Sequence, residues 1–373
     1  MTAMRHSTTI TIDGTVTRVL FGEATPEQQL PCQKLAASAW GSYLDEDEVN
    51  AREKHLGIQP LARNGGCRTW CLYCADERNR VLSTCKTMRR DLLTRNTQGV
   101  DDLNGYCITS VVTALPYRGH GLASHLLQNL AQWLDGPGEA AVSLLYSGIP
   151  QFYTSLGWTA FPNTEIILSN GPWLEDVQDA YANMEVRLLV DADLDELCAQ
   201  DVELLRREVQ CTEVTNKENR LIILPTADLV GYQHAFADYM GNLWHCEAPD
   251  KRGAAYNDEA WLYWCHDFRG RCLYIQSIHN TIQKKENATD IIAALLLSAF
   301  REAEEWNFIK IATWDTSLDV RNALDMLARV SVFKTTVEET RRAQRISVRW
   351  RNGEEKTTCT IMANEAYAWN SRN

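Results

Sequence analysis

A chain of 373 residues is long for one hydrophobic core, so two domains are expected. Hydrophobic residues make up 45% and charged residues 23%, as in globular chains, and a net charge of −12 argues against a surface built broadly for nucleic acid or anionic membrane. The first residues lack the apolar core of a signal peptide, and the longest apolar run, residues 291–300, is too short to span a bilayer; the expected location is the cytoplasm, with the 12 cysteines reduced.

In chain order, residues 16–21 read as a first strand, and Pro26 opens a helix reaching Trp40. Residues 45–56 read as a second helix with the acidic start that the helix dipole favours. A hairpin follows, with strands over residues 67–75 and 80–87. It carries Cys67, Cys71 and Cys74 in a Cys-x3-Cys-x2-Cys spacing that also occurs in iron–sulfur proteins. On a strand the first two thiols share one face and the third lies on the other, so they would not converge on a cluster; no metal is expected.

Residues 106–113 read as a strand that runs into Arg118-Gly119-His120-Gly121-Leu122-Ala123-Ser124 and then a helix. The helix is read from period: Leu122, Leu126, Leu127, Leu130, Ala131 and Leu134 recur every three or four positions. It stops at Asp135-Gly136-Pro137, where proline cannot continue it. Strand, glycine turn and helix together aim several main-chain N–H groups at one anion. Arg118 adds a positive charge, and the missing side chains at Gly119 and Gly121 permit close approach of a ligand. Ordinary strand-to-helix turns also contain such glycines, so the turn alone leaves an anion site and a plain connection both open.

Residues 140–146 read as a buried strand, residues 150–157 as a short helix and residues 158–168 as another strand. Asn170-Gly171-Pro172 marks a domain boundary. Beyond it come a strand (186–190), a helix (191–209), a hairpin (261–266 and 272–279), an apolar helix (289–306) and a strand (308–314). This succession resembles the first half and suggests an internal duplication. Gln283-Lys284-Lys285-Glu286-Asn287-Ala288 stands where a glycine turn would be, so the copy lacks a phosphate cradle. Residues 345–350 and 357–362 read as a last strand pair.

Arg118-Gly119-His120-Gly121-Leu122-Ala123, followed downstream by Phe152-Tyr153-Thr154-Ser155-Leu156-Gly157-Trp158, resembles the GNAT acetyltransferase superfamily, whose acetyl-CoA turn and Phe-Tyr helix occur in this order. Ser38-Ala39-Trp40-Gly41, the Arg52-Glu53-Lys54-His55-Leu56 stretch, residues 145–153 and 157–162, Asp193-Leu194-Asp195-Glu196-Leu197 and residues 364–369 are similar to the fungal lysine N6-acetyltransferase group. Two departures bear on the acceptor: Lys86 stands where that group commonly has Glu, and residues 231–237 are poorer in Trp, Arg and Glu.

The resemblance implies an α/β (α+β) fold, a GNAT-type mixed central sheet with flanking helices followed by a degenerate GNAT-like second half. Residues 1–170 would be the catalytic domain binding acetyl-CoA, and residues 171–373 a domain without the phosphate-binding turn, on the acceptor side. The implied reaction is acetyl transfer to a small-molecule primary amine, with N6 of free L-lysine as lead acceptor. A specialised-metabolite amine or a polyamine is the alternative acceptor, and a non-catalytic acetyl-CoA-binding protein the alternative from another class. Nucleic acid, membrane and an obligatory protein partner are not expected.

By the same resemblance, main-chain groups of Val111, Val112 and Thr113 would pair with the pantetheine arm. Arg118 and the amides of Gly119, His120, Gly121, Leu122, Ala123 and Ser124 would hold the pyrophosphate, His120 being equally readable as a solvent-facing loop residue. Tyr153 would be the general acid for the leaving thiolate, packing being its other reading. Residues 106–113 hold no carboxylate or histidine to act as base; Glu165, expected to be exposed, is a weak candidate, and the base stays unassigned. A lone Lys86 facing the acceptor would repel the ammonium of lysine.

Overall fold

The computed structural model describes residues 7–12, 15–40, 43–169, 184–214, 219–281, 287–330, 334–338, 344–353 and 359–361. The N-terminal half runs β1 (Ser7–Ile12), β2 (Thr15–Glu23), α1 (Pro26–Trp40), α2 (Glu46–Gly57), β3 (Cys67–Cys74), β4 (Val81–Asn96), β5 (Gly99–Thr113), α3 (Leu122–Asp135), β6 (Val142–Ser147), α4 (Pro150–Thr154) and β7 (Thr159–Ala160). Local chemistry sets several of these ends. Asp45 caps α2 in a reciprocal box, accepting from the Glu48 amide at 2.9 Å while Glu48 accepts from the Asp45 amide at 2.8 Å. The expected helices over residues 26–40 and 45–56 are present, as is the β3–β4 hairpin. β1 and the second half of β4 were not foreseen.

The chain continues with β8 (Glu165–Ser169), β9 (Val186–Leu189), α5 (Asp191–Cys211), β10 (Asn219–Ile223), α6 (Ala227–His245), β11 (Gly253–Tyr256), β12 (Ala260–Asp267) and β13 (Cys272–Asn280). It closes with α7 (Ala288–Glu305), β14 (Lys310–Thr313), α8 (Leu318–Val330), β15 (Lys334–Glu338), β16 (Arg345–Trp350) and β17 (Cys359–Ile361). Two mixed sheets result. One has the order β1-β2-β3-β4-β5-β6-β16-β7, with β10 pairing the far half of β4 and β17 pairing β10; the other has the order β15-β8-β14-β13-β12-β11-β9.

The duplication is visible in the pairing. In each half two antiparallel hairpin strands, β4–β5 and β12–β13, are followed by a helix and a parallel return strand, β6 beside β5 and β14 beside β13. The outer edge of each return strand is covered by a strand from the other half: β16 pairs β6, and β8 pairs β14. Two expectations are corrected here. Residues 158–168 are not one strand, because Pro162 removes a ladder donor, and β7 and β8 end in different sheets. Residues 345–350 and 357–362 are not a pair, since β16 enters the first sheet between β6 and β7 while β17 lies against β10. The segment Asn170-Gly171-Pro172, the Gln283–Glu286 stretch and residues 364–373 lie outside the described residues.

Packing follows the exchange. On one side of the first sheet Leu122, Leu126, Leu127, Leu130 and Leu134 of α3 meet Trp70, Leu82, Cys85 and Ile108. The opposite side, with Met88, Leu92, Val142 and Leu144, shares a core with Tyr232, Trp261 and Tyr263 of the second half and with Ile346 and Val348 of β16. β16 is further clamped by Arg349, which donates to both carboxylate oxygens of Asp135 at 2.7 and 2.5 Å at the end of α3. The second half has its own core around α7, where Ile291, Ile292, Leu295, Leu296 and Phe300 are at most 1% exposed. Each such side chain contributes about 1.5–3 kcal/mol relative to exposure.

Candidate active site

The site begins where two parallel strands part. β5 pairs β6 from Gly105↔Val142 to Ile108↔Leu145, yet β5 runs on to Thr113. The divergence has a local cause: Ser110 takes φ 54° and the β4–β5 register shifts between Thr84 and Lys86, a bulge that turns the strand end aside. A cavity of about 440 Å³ opens between this strand end and α4. Val111, Val112, Thr113, Arg118, Gly119, Gly121, Leu122, Ala123, Ser124 and Tyr153 all line it, so the fold brings together nearly every residue singled out in the sequence. His120 is exposed and is not part of the lining. Ala39, Tyr117, Ile149 and Phe152 join the lining without having been anticipated.

The turn fits a diphosphate. Gly119 (φ +84°) and Gly121 (φ +73°) sit in the left-handed region, and a Cβ added at either would meet nothing within 4 Å. Their missing side chains therefore leave open space rather than a packed contact. Gly121 begins α3 with no side-chain cap, so the first helical amides face that space. Leu122, 1% exposed, anchors the helix from below, and the Arg118 Nε donates to the Thr113 carbonyl at 3.0 Å, tying the guanidinium to the end of β5.

Tyr153 is 8% exposed, packs with Phe152 at 5.0 Å between ring centroids, and reaches the same cavity. Burial pushes its phenol up to about 12, the Cys85 thiol adds to this, and a hydrogen bond with Ser147 works against it. The hydroxyl therefore stays protonated across the working range, as a proton donor requires, but is a weaker acid than a free tyrosine.

Glu165 is not exposed as expected. It lies on β8 at 7% exposure and accepts from the Trp314 Nε1 at 3.0 Å, with Trp314 in turn 5.8 Å from the Tyr146 ring. Lys86 is not a lone charge either. Its Nζ lies 2.5 Å from Glu53 Oε2, with side-chain exposures of 12% and 10%, and Arg52 Nη2 holds the other oxygen of Glu53 at 2.9 Å. Burial alone would raise the Glu53 carboxyl; Lys86 and Arg52 outweigh it and hold the group below its ordinary range, hence ionised. This triad was missed because its members come from α2 and β4. The sequence marks Lys86 and the Arg52-Glu53 stretch separately, and nothing in it pairs them.

The thiols of the hairpin go to different neighbours. Cys67 is raised to about 11 by burial, with Arg90, Lys86 and Glu53 nearby, whereas Cys71 donates to Gln28 Oε1 at 3.8 Å and is raised strongly by the neighbouring Cys32 thiol of α1 and by burial. Among the described residues no group of three or more His, Cys, Asp or Glu side chains is arranged to hold a metal ion. No helix among them is long and apolar enough to cross a membrane.

A splayed parallel strand pair, an uncapped helix N-terminus behind a glycine turn and a buried tyrosine on the next helix, on a duplicated mixed sheet, define a GNAT N-acetyltransferase. The particular branch follows from the second half: residues 173–370, more than half of the chain, match the family described as "LYC1 GNAT-like C-terminal domain", and the chain belongs to that family. A protein of Yarrowia lipolytica named lysine acetyltransferase is 21% identical over 345 residues, covering 82% of this chain and 86% of that one. Among solved structures, a GCN5-related N-acetyltransferase from Kribbella flavida superposes with a TM-score of 0.51 at 14% identity, covering 90% of this chain and 72% of the other. One from Anabaena variabilis gives 0.51 at 13% identity, with 90% and 73% covered. These structures share the fold. The GNAT fold implies acetyl-CoA as acyl donor.

Proposed function

We propose that this enzyme acetylates a primary amine of a small molecule, with N6 of free L-lysine as the first candidate. The observation that carries the cofactor half is the cavity at the parting of β5 and β6, bordered by two open left-handed glycines. The acceptor half is supported by the name of the Yarrowia relative.

When bound, acetyl-CoA supplies an activated thioester whose acetyl group passes to the amine. Main-chain groups of Val111, Val112 and Thr113 would hold the pantetheine arm, giving catalysis by positioning. Arg118 and the amides from Gly119 to Ser124 would hold the pyrophosphate, with His120 at the outer edge. As the new carbon–nitrogen bond forms and the carbon–sulfur bond breaks, Tyr153 would give its proton to the departing thiolate, and the amine would lose one to solvent. In this reading residues 1–170 carry the cofactor and residues 171–373 close the acceptor side, with Phe236 of α6 packed on Arg52 of α2 and the exchanged strands β8 and β16 fixing the two together.

An acceptor screen tests it. Thiol release from acetyl-CoA is followed with amino acids, polyamines and amino sugars, and products are identified by mass. Lysine should show the highest kcat/KM and yield N6-acetyl-lysine. A polyamine or amino sugar turned over far better than lysine would overturn the lysine assignment, and no release with any of them would overturn the small-amine reading.

A further inference from the structure

The polar cluster beside Thr109 carries more positive charge than it balances. Arg52 is 2% exposed, wedged between α2 and the Phe236 ring of α6 at 5.7 Å. It gives one nitrogen to Glu53, while its Nε and Nη1 are buried and make no hydrogen bond among the described residues. Lys86 shares the same single carboxylate. Two cations on one anion, with two guanidinium nitrogens buried and, among the described residues, without a hydrogen-bond partner, form an arrangement that is costly until another anion enters. Arg90, 1% exposed, adds positive potential at the neighbouring Cys67.

The cluster also stands at a useful place. Lys86 lies opposite Thr109, immediately before the Ser110 bulge, and Val111 at the cavity is two residues further on. Two strand residues span about 7 Å. The carboxylate and ε-amine of an extended lysine are separated by roughly 7–8 Å, six bonds of about 1.5 Å in zigzag. An α-amine, two bonds from its carboxylate, does not bridge that gap.

We propose that Arg52 and Lys86, with Glu53 between them, bind the carboxylate of the acceptor, so that the substrates are amines bearing a carboxylate at the far end of the chain. This rests on the reading of the protein as a small-amine acetyltransferase and adds the residues that select a carboxylate-bearing amine over a plain diamine. Glu53 has a second part in it: by offsetting Lys86, it removes the repulsion that a bare lysine would exert on an incoming ammonium.

The test compares lysine with 1,5-diaminopentane, which is lysine without its carboxylate, and uses norleucine, which has the carboxylate but no ε-amine. The wild-type kcat/KM for lysine should exceed that for the diamine by about 10- to 100-fold, the size of a lost charge-assisted hydrogen bond. Norleucine should compete with lysine and bind the CoA-saturated enzyme in a calorimeter. In Arg52→Met and Lys86→Met the preference for lysine over the diamine should collapse through KM for lysine, with Arg52→Lys restoring part of it. A diamine as good as lysine, a norleucine that neither binds nor competes, or variants that lose both acceptors in parallel would overturn the assignment. Should the Arg52 variants not fold, the wild-type comparison and norleucine binding decide alone. Norleucine binding without turnover of any amine would sink the reaction and leave the carboxylate site standing.

Discussion

Replacing Gly121 with valine separates the cost of a strained turn from the loss of a ligand cradle. The residue sits at φ +73°, so any L side chain there is strained, and about 1–2 kcal/mol of stability should be lost in the ligand-free protein. Nothing lies within 4 Å of the added Cβ, so no clash adds to this figure. The branched side chain projects instead into the space beside the first amides of α3. Loss of one or two charge-assisted contacts there weakens binding about 100-fold. Unfolding is measured with and without acetyl-CoA. At 100 times the wild-type Kd, the ligand adds about 2.7 kcal/mol to the wild type, whereas a variant binding 100-fold more weakly gains only about 0.4 kcal/mol. The backbone cost cancels in this difference. Gly353→Val is the control, since Gly353 (φ +68°) is equally open and lies outside the cavity lining; it should lose stability and keep the full ligand increment. A Gly121→Val protein that is destabilised yet keeps that increment would refute the cradle.

Two further outcomes follow from buried groups. Tyr153→Phe should lower kcat by about 10²–10⁴ with acetyl-CoA affinity nearly unchanged, and since the phenol is raised to about 12, no fall in rate between pH 7 and 10 should trace to its ionisation; a kcat within a few-fold would assign the proton to water. His234 of α6, held by the Trp264 carbonyl and Gln276 at 2.9 Å each, is lowered to about 3 by burial first and by Arg252 next. With its folded value below the unfolded 6.5, the unfolded chain binds the extra proton, so this stability is complete above pH 6.5 and drains away as pH falls toward 3. By pH 4 the loss is about 3 kcal/mol. Denaturant unfolding of His234→Gln should show a flatter acid limb than wild type, and parallel curves would remove His234 as its cause.

What the sequence determined by itself is what a short window can encode. Leucines spaced for a helix, glycines free of a Cβ, an Asp45–Glu48 capping box and alternating strands act over a few residues, and α2, α3 and the glycine turn follow from them. Strand partners and charge partners are chosen across the whole chain. β8 and β16 have the composition of any short buried strand, and only the competition for two open return-strand edges sends each into the opposite half. Glu165 acquires its burial from Trp314, distant in sequence, and Lys86 loses its bare charge to Glu53 of α2. Those pairings depend on which surfaces meet when two halves close around one core, and a local pattern carries no record of the surface it will face.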